Sequence, residues 1–120
     1  MIEYISSPNS PAPRAPYSPA VRAGDFIYVS GQAVLGDDVK AETRQVLTNI
    51  RAVLEAAGAS LADVVRCGVF LMDANEFGAM NEAYAEMFGT TRPARTTIIV
   101  AGLPLPGARV EIDAVAYKPK

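Results

Sequence analysis

Arg95 stands at the head of Pro93-Ala94-Arg95-Thr96-Thr97-Ile98-Ile99-Val100, whose β-branched run predicts a strand opening on a guanidinium. Glu111 stands near the start of a second such run, Val110-Glu111-Ile112-Asp113-Ala114-Val115. An arginine engages a carboxylate through a planar, two-pronged hydrogen bond. A carboxyl group close to that pair can hold or activate a water. Together, Arg95 and Glu111 suggest a site for a small anionic organic acid. The sequence contains no histidine, which excludes a Ser-His-Asp triad, an HExxH zinc site and imidazole acid–base chemistry. Cys67 is the only cysteine, so an internal disulfide and a cysteine-pair zinc site are excluded, and a reducing cytosol is the expected compartment. A carboxylate-only magnesium or calcium site is compatible with the composition, although no EF-hand spacing is present.

Each of these residues also has a plainer reading. An arginine at a strand start can be a structural ion-pair partner, and Glu111 can be a solvated strand carboxylate. If Glu111 is instead buried, desolvation should raise its pKa and suit it to proton transfer near neutrality. Tyr17 can serve a site or pack on the proline-rich segment beside it. Thr97 shares Arg95's side of the strand and could present a hydroxyl, or be present for strand propensity alone. Asp113 shares a face with Glu111. Cys67 and the aromatics Phe77, Tyr84 and Phe88 read as core.

The elements that must position these groups follow from periodicity. Ile2–Ser6 reads as a short strand. Pro8, Pro11, Pro13, Pro16 and Pro19 then forbid a helix and disfavour a central strand, so an ordered loop is expected to lead toward Tyr17. Phe26-Ile27-Tyr28-Val29-Ser30 is a strand ending at Gly31. Gly36-Asp37-Asp38 offers a turn and an N-cap, after which Thr43, Val46, Leu47, Ile50, Val53, Leu54 and Ala57 repeat at helical spacing until Gly58. Val64–Met72 is a further strand. Asp73 or Asn75 caps a second helix that carries Phe77, Met80, Tyr84, Met87 and Phe88 on one face. The order predicts a single α+β domain over residues 1–120, with two helices on one face of a sheet. In the last strand Val110, Ile112, Ala114 and Ala116 oppose Glu111, Asp113, Val115 and Tyr117. The mixed second face suits a subunit interface.

The formal net charge of −2 and the absence of a basic stripe give no electrostatic reason to bind nucleic acid. No apolar run approaches membrane-spanning length and no signal peptide is visible, so a soluble cytoplasmic protein is expected.

Read as a whole, the chain resembles the RidA/YjgF family of reactive intermediate deaminases. The resemblance rests on Ala15-Pro16-Tyr17-Ser18, Val29-Ser30-Gly31-Gln32, Asn49-Ile50 and Ala56-Ala57-Gly58. It continues through Asp63-Val64-Val65, Val69-Phe70-Leu71, Met80-Asn81 with Tyr84, Pro93-Ala94-Arg95, Leu103-Pro104 and Val110-Glu111-Ile112. It implies a chorismate-mutase-like subunit assembled as a homotrimer, with an inner β-barrel, outer helices and clefts between neighbouring subunits. It implies cofactor-free hydrolysis of 2-aminoacrylate, 2-iminopropanoate or 2-iminobutanoate, released by pyridoxal-phosphate dehydratases, to 2-keto acids and ammonia. By the same resemblance Arg95 clamps the substrate carboxylate, Glu111 serves the hydrolytic water, and Tyr17 reaches in from its loop. Ser30 and Gly31 line the cleft with backbone, and no metal is involved. Thr97 stands where cysteine is frequent in the deaminases, and Pro19 where glutamine is common. Those two departures leave the preferred substrate open.

Overall fold

A computed structural model describes residues 1–120. Its elements in chain order are β1 (Ile2–Ile5), β2 (Ala20–Ala23), β3 (Phe26–Gln32), α1 (Val39–Ala56), β4 (Val64–Leu71), α2 (Phe77–Phe88), β5 (Ala94–Ile99) and β6 (Val110–Tyr117). The six strands form one mixed sheet in the order β1-β2-β3-β6-β4-β5. Only β4 and β5 run parallel, because α2 makes the crossover between them. The fold is α+β, with both helices on one face of the sheet, as the periodicities predict.

The helix α1 begins where the Asp38 side chain accepts a hydrogen bond from the Ala41 N–H at 2.8 Å. It ends before Gly58, whose φ of +81° suits the residue that turns the chain out of a helix. Its apolar stripe, Val46, Leu47, Ile50, Val53 and Leu54, is fully buried against Ile27, Val69, Val110 and Ile112 of the sheet. Asp73 caps a single 3-10 turn, accepting from the Asn75 N–H, and α2 starts only at Phe77. On α2 the stripe holds for Met80, Tyr84 and Phe88, but Phe77 is 44 % exposed and so is not core.

Two features were not legible from pattern. Residues Ala20–Ala23 form β2, pairing with both β1 and β3. Arg22 within it is buried, and donates to the Ala57 carbonyl at the end of α1 and to the Lys118 carbonyl, at 2.9 and 2.8 Å. Glu42 is fully buried on α1, where it accepts from the Arg109 backbone N–H at 2.8 Å and pairs with the Arg109 guanidinium. That pair ties the segment before β6 to α1. The face of the sheet away from the helices carries exposed Tyr4, Phe26, Tyr28, Ile98 and Tyr117. The outer edge of β5 has no partner strand. No helix is long and apolar enough to cross a membrane.

Candidate functional site

Register decides which residues can meet. Arg95 on β5 lies opposite Cys67 on β4, which lies opposite Ala114 on β6. Cys67 and Ala114 are buried beneath the helices, so Arg95 also points to the helix side. Its guanidinium carbon sits 4.8 Å from the Tyr84 ring centroid and 5.6 Å from that of Phe77. One guanidinium nitrogen lies 4.0 Å from the Met80 sulfur. No acidic side chain pairs with Arg95. It opens instead into a cleft of about 300 Å³ lined by Asn81, Tyr84, Ala85, Arg92, Pro93 and Arg95 itself. The lining has two cations and no carboxylate.

Two residues of that lining, Asn81 and Tyr84, carry buried polar atoms, and Thr97 lies further along β5. Asn81 Oδ1 and Thr97 Oγ1 are buried without a partner in the chain, and the Tyr84 hydroxyl has only the Cys67 thiol and the Arg95 guanidinium beside it. Thr97 lies two residues along β5 on Arg95's side, opposite Val69. Buried polar groups are normally satisfied, so such exceptions mark places for a polar ligand or water. Burial and the neighbouring Cys67 thiol push the Tyr84 hydroxyl far above its ordinary pKa, which keeps it a neutral phenol. Burial likewise raises the Cys67 thiol.

Glu111 lies elsewhere. Its partner on β4 is Phe70, and it points to the open face. A sheet thus separates Arg95 from Glu111, with β4 between their strands, and two strand spacings and a three-residue offset in register put their backbones about 14 Å apart. The pairing suggested by sequence is not formed within one chain. The surroundings of Glu111 are nonetheless specific. β3 and β6 change register between Val29 and Gln32, and that irregularity brings Gly31 flat against the carboxyl group. A Cβ at Gly31 would lie 2.5 Å from Glu111 Oε2, so a larger residue there must push the Glu111 carboxyl group aside. Glu111 makes no side-chain hydrogen bond or ion pair, and desolvation, reinforced by Asp113, raises its pKa. Asp113 itself is held by the Gly68 N–H at 2.8 Å.

Ser30 belongs to the Glu111 side. The Ser30 hydroxyl donates to the Ser18 carbonyl at 2.6 Å, and the Ser30 N–H donates to the Pro19 carbonyl at 2.9 Å. These bonds fasten the proline-rich loop to the end of β3 next to Gly31. Tyr17, one residue before Ser18, is 52 % exposed at that end. The predicted residues therefore form two groups, Arg95 with Thr97 and Ser30 and Gly31 with Glu111, and Tyr17 lies on the loop fastened to the second. Asn81 and Tyr84 join the first group. Helical periodicity assigned Tyr84 to the core, where it is buried, and its contact with Arg95 was not legible in that pattern. No group of three or more Asp, Glu or Cys side chains is arranged to hold a metal ion.

A two-helix, six-strand α+β fold with an arginine-lined cleft defines a class, and comparison with known proteins gives the family. The model described as Endoribonuclease L-PSP matches residues 7–118, and the chain belongs to that family, the RidA/YjgF family. It is 47 % identical over 126 residues to a RutC family protein of Pyrococcus horikoshii, covering 98 % of this chain and 99 % of the relative. It is 43 % identical over 124 residues to the 2-iminobutanoate/2-iminopropanoate deaminase of Capra hircus, covering 95 % and 88 %. Among solved structures, RidA from an Antarctic Psychrobacter superimposes with a TM-score of 0.91 at 38 % identity, covering 96 % of this chain and 98 % of that one. TdcF of E. coli with bound serine superimposes with a TM-score of 0.91 at 31 % identity, covering 97 % and 98 %.

Proposed function

We propose that the protein hydrolyses reactive 2-imino and 2-enamine acids, such as 2-aminoacrylate, 2-iminopropanoate and 2-iminobutanoate, to 2-keto acids and ammonia. The observation that carries this reading is the Arg95 guanidinium, which opens into a cleft without any acid of the protein to neutralise it. A short 2-imino acid supplies the missing carboxylate. Two relatives named 2-iminobutanoate/2-iminopropanoate deaminase, at 40 % and 43 % identity, support the reaction class.

In the proposed reaction Arg95 holds the carboxylate and fixes C2. Glu111 accepts a proton as water attacks C2, and the C=N π pair moves to nitrogen. The resulting carbinolamine takes that proton on nitrogen, its C–N bond breaks, and ammonia leaves with the pair. The remaining hydroxyl loses its proton to give the ketone. Positioning supplies much of such an acceleration, because a protonated imine is already electrophilic. The raised pKa of Glu111 suits a group that must both take and return a proton.

Arg95 and Glu111 lie on opposite faces of one sheet, so this reading requires a second copy of the chain. The apolar open face and the unpaired β5 edge are surfaces that assembly would cover. A homotrimer with sites between subunits brings an Arg95–Thr97 group to a Tyr17–Ser30–Gly31–Glu111 group. We place the protein in the cytoplasm, downstream of pyridoxal-phosphate dehydratases that release such imines. RNA cleavage, the activity in the family model's description, has little support from a chain with net charge −2 and no histidine.

The test is a coupled assay in which threonine or serine dehydratase generates the imine, semicarbazide competes for it, and keto-acid release is followed. Wild type should accelerate release, and Arg95→Ala should not. The second reading is a carboxylic-acid-binding trimer without turnover, which the serine-bound TdcF structure favours. Saturable binding without acceleration on any short or branched imine would select it.

A further inference from the structure

We infer that Tyr84 is a positioning residue for Arg95, its ring serving as the shelf on which the guanidinium lies. This deepens the carboxylate-clamp reading of Arg95 and rests on it. A guanidinium can be held in two ways. An acidic partner holds it strongly, but uses the same N–H donors a substrate carboxylate needs. An aromatic face holds it through its quadrupole and leaves the donors at the guanidinium edge free.

No acidic side chain holds Arg95, and aromatic faces lie beside it. The Arg95 guanidinium carbon is 4.8 Å from the Tyr84 ring centroid and 5.6 Å from that of Phe77, and one of its nitrogens is 4.0 Å from the Met80 sulfur. Tyr84 is fixed in turn, since its ring centroid lies 4.7 Å from that of Phe88 one helical turn on. The aromatic spacing that reads as a helix core stripe thus builds a stack from Phe88 through Tyr84 to Arg95. The Tyr84 hydroxyl is buried at the cleft, with only the Cys67 thiol and the Arg95 guanidinium as polar neighbours in the chain. As a neutral phenol it puts no negative charge beside Arg95 to compete with a bound carboxylate. The ring performs the positioning, and the hydroxyl is a secondary contact.

The experiment titrates 2-oxobutanoate, a keto-acid product, into the assembled protein by calorimetry, beside steady-state imine hydrolysis. Tyr84→Leu removes the shelf and should weaken 2-oxobutanoate binding and raise KM by about tenfold, with kcat changed less than about threefold. Tyr84→Phe keeps the shelf and should restore binding to within about threefold of wild type. Phe77→Leu alters a half-exposed residue, so folding is not at stake, and should weaken binding by about twofold to fourfold. Folded Tyr84→Leu with wild-type affinity would overturn the inference. If that variant does not fold, wild-type affinity in Phe77→Leu would overturn it instead. Loss of binding in Tyr84→Phe as severe as in Tyr84→Leu would overturn it too, since the ring would then not be the operative part. Absence of 2-oxobutanoate binding to wild type, or unchanged binding in Arg95→Ala, would remove the clamp and this inference with it. Normal binding without imine turnover would remove only the deaminase reading.

Discussion

The two faces of one sheet solve opposite electrostatic problems. On the helix side a cation is stabilised by neutral groups, the π faces of Tyr84 and Phe77 and the sulfur of Met80. On the open side an acid is left with a glycine backbone against it and a second acid, Asp113, on the same face. The first arrangement invites an anion, and the second favours a proton on Glu111. Glu42 shows what the same fold does with an acid that serves stability, burying it fully and pairing it with the backbone and guanidinium of Arg109. The difference teaches that Arg95 and Glu111 are incomplete by construction, whereas Glu42 is complete within the chain.

Three experiments press on that contrast. The largest expected effect is that of Glu111→Gln, which should lower kcat on imine substrates by roughly 100-fold, the usual scale for losing a general acid–base group. The acid limb of the wild-type pH–rate profile should have an apparent pKa above the ordinary carboxylate range, and the variant should lose that limb. Linkage gives the accompanying sign for stability. A folded pKa raised above the unfolded one means that Glu111 favours the folded state only where it is protonated. That contribution is lost as pH rises through the raised value, so Glu111→Gln should melt no lower than wild type at pH 7. A melting temperature several degrees lower would show that Glu111 is a stabilising contact after all.

Gly31→Ala is the next in size. The added Cβ would meet Glu111 Oε2 at 2.5 Å and must displace the carboxyl group. A fall of roughly tenfold in kcat, with carboxylate binding retained, is expected from misplacing one catalytic group. Unchanged kinetics would mean that Glu111 does not act from this position. The smallest effect on chemistry should come from Glu42→Ala, which strands the Arg109 N–H and guanidinium. Denaturant unfolding should report a loss of about 3 kcal/mol, typical of breaking a buried pair. A loss below 1 kcal/mol would put Glu42 among weak surface pairs.

Local physics made much of this fold readable. The α1 stripe, its Asp38 cap and its Gly58 terminus all follow from short-range rules, as does the alternation along β6. The strand β2 was hidden because its four residues follow Pro19 too closely to show a period, and because Arg22 occupies a buried position. Candidate site residues stood out by type, in Arg95, Glu111, the loop that carries Tyr17 and the strand end at Ser30 and Gly31. Their distribution over two faces was not legible. It depends on β4 lying between β5 and β6, and on a register that is set by pairing distant segments. Tyr84 was hidden for a related reason, since a helix stripe looks the same whether it meets a leucine or a guanidinium.

The central claim is that Arg95 of one copy and Glu111 of another form one site. Its most direct test is subunit mixing. Arg95→Ala and Glu111→Gln, each inactive alone, are unfolded together in equal amounts, refolded, and assayed for imine hydrolysis. Sites between subunits should regain roughly a quarter of wild-type activity, the fraction of interfaces that pair an intact Arg95 with an intact Glu111 in a randomly assembled ring. A refolded mixture with no more activity than either variant alone would contradict the account, because it would confine both residues to the same chain.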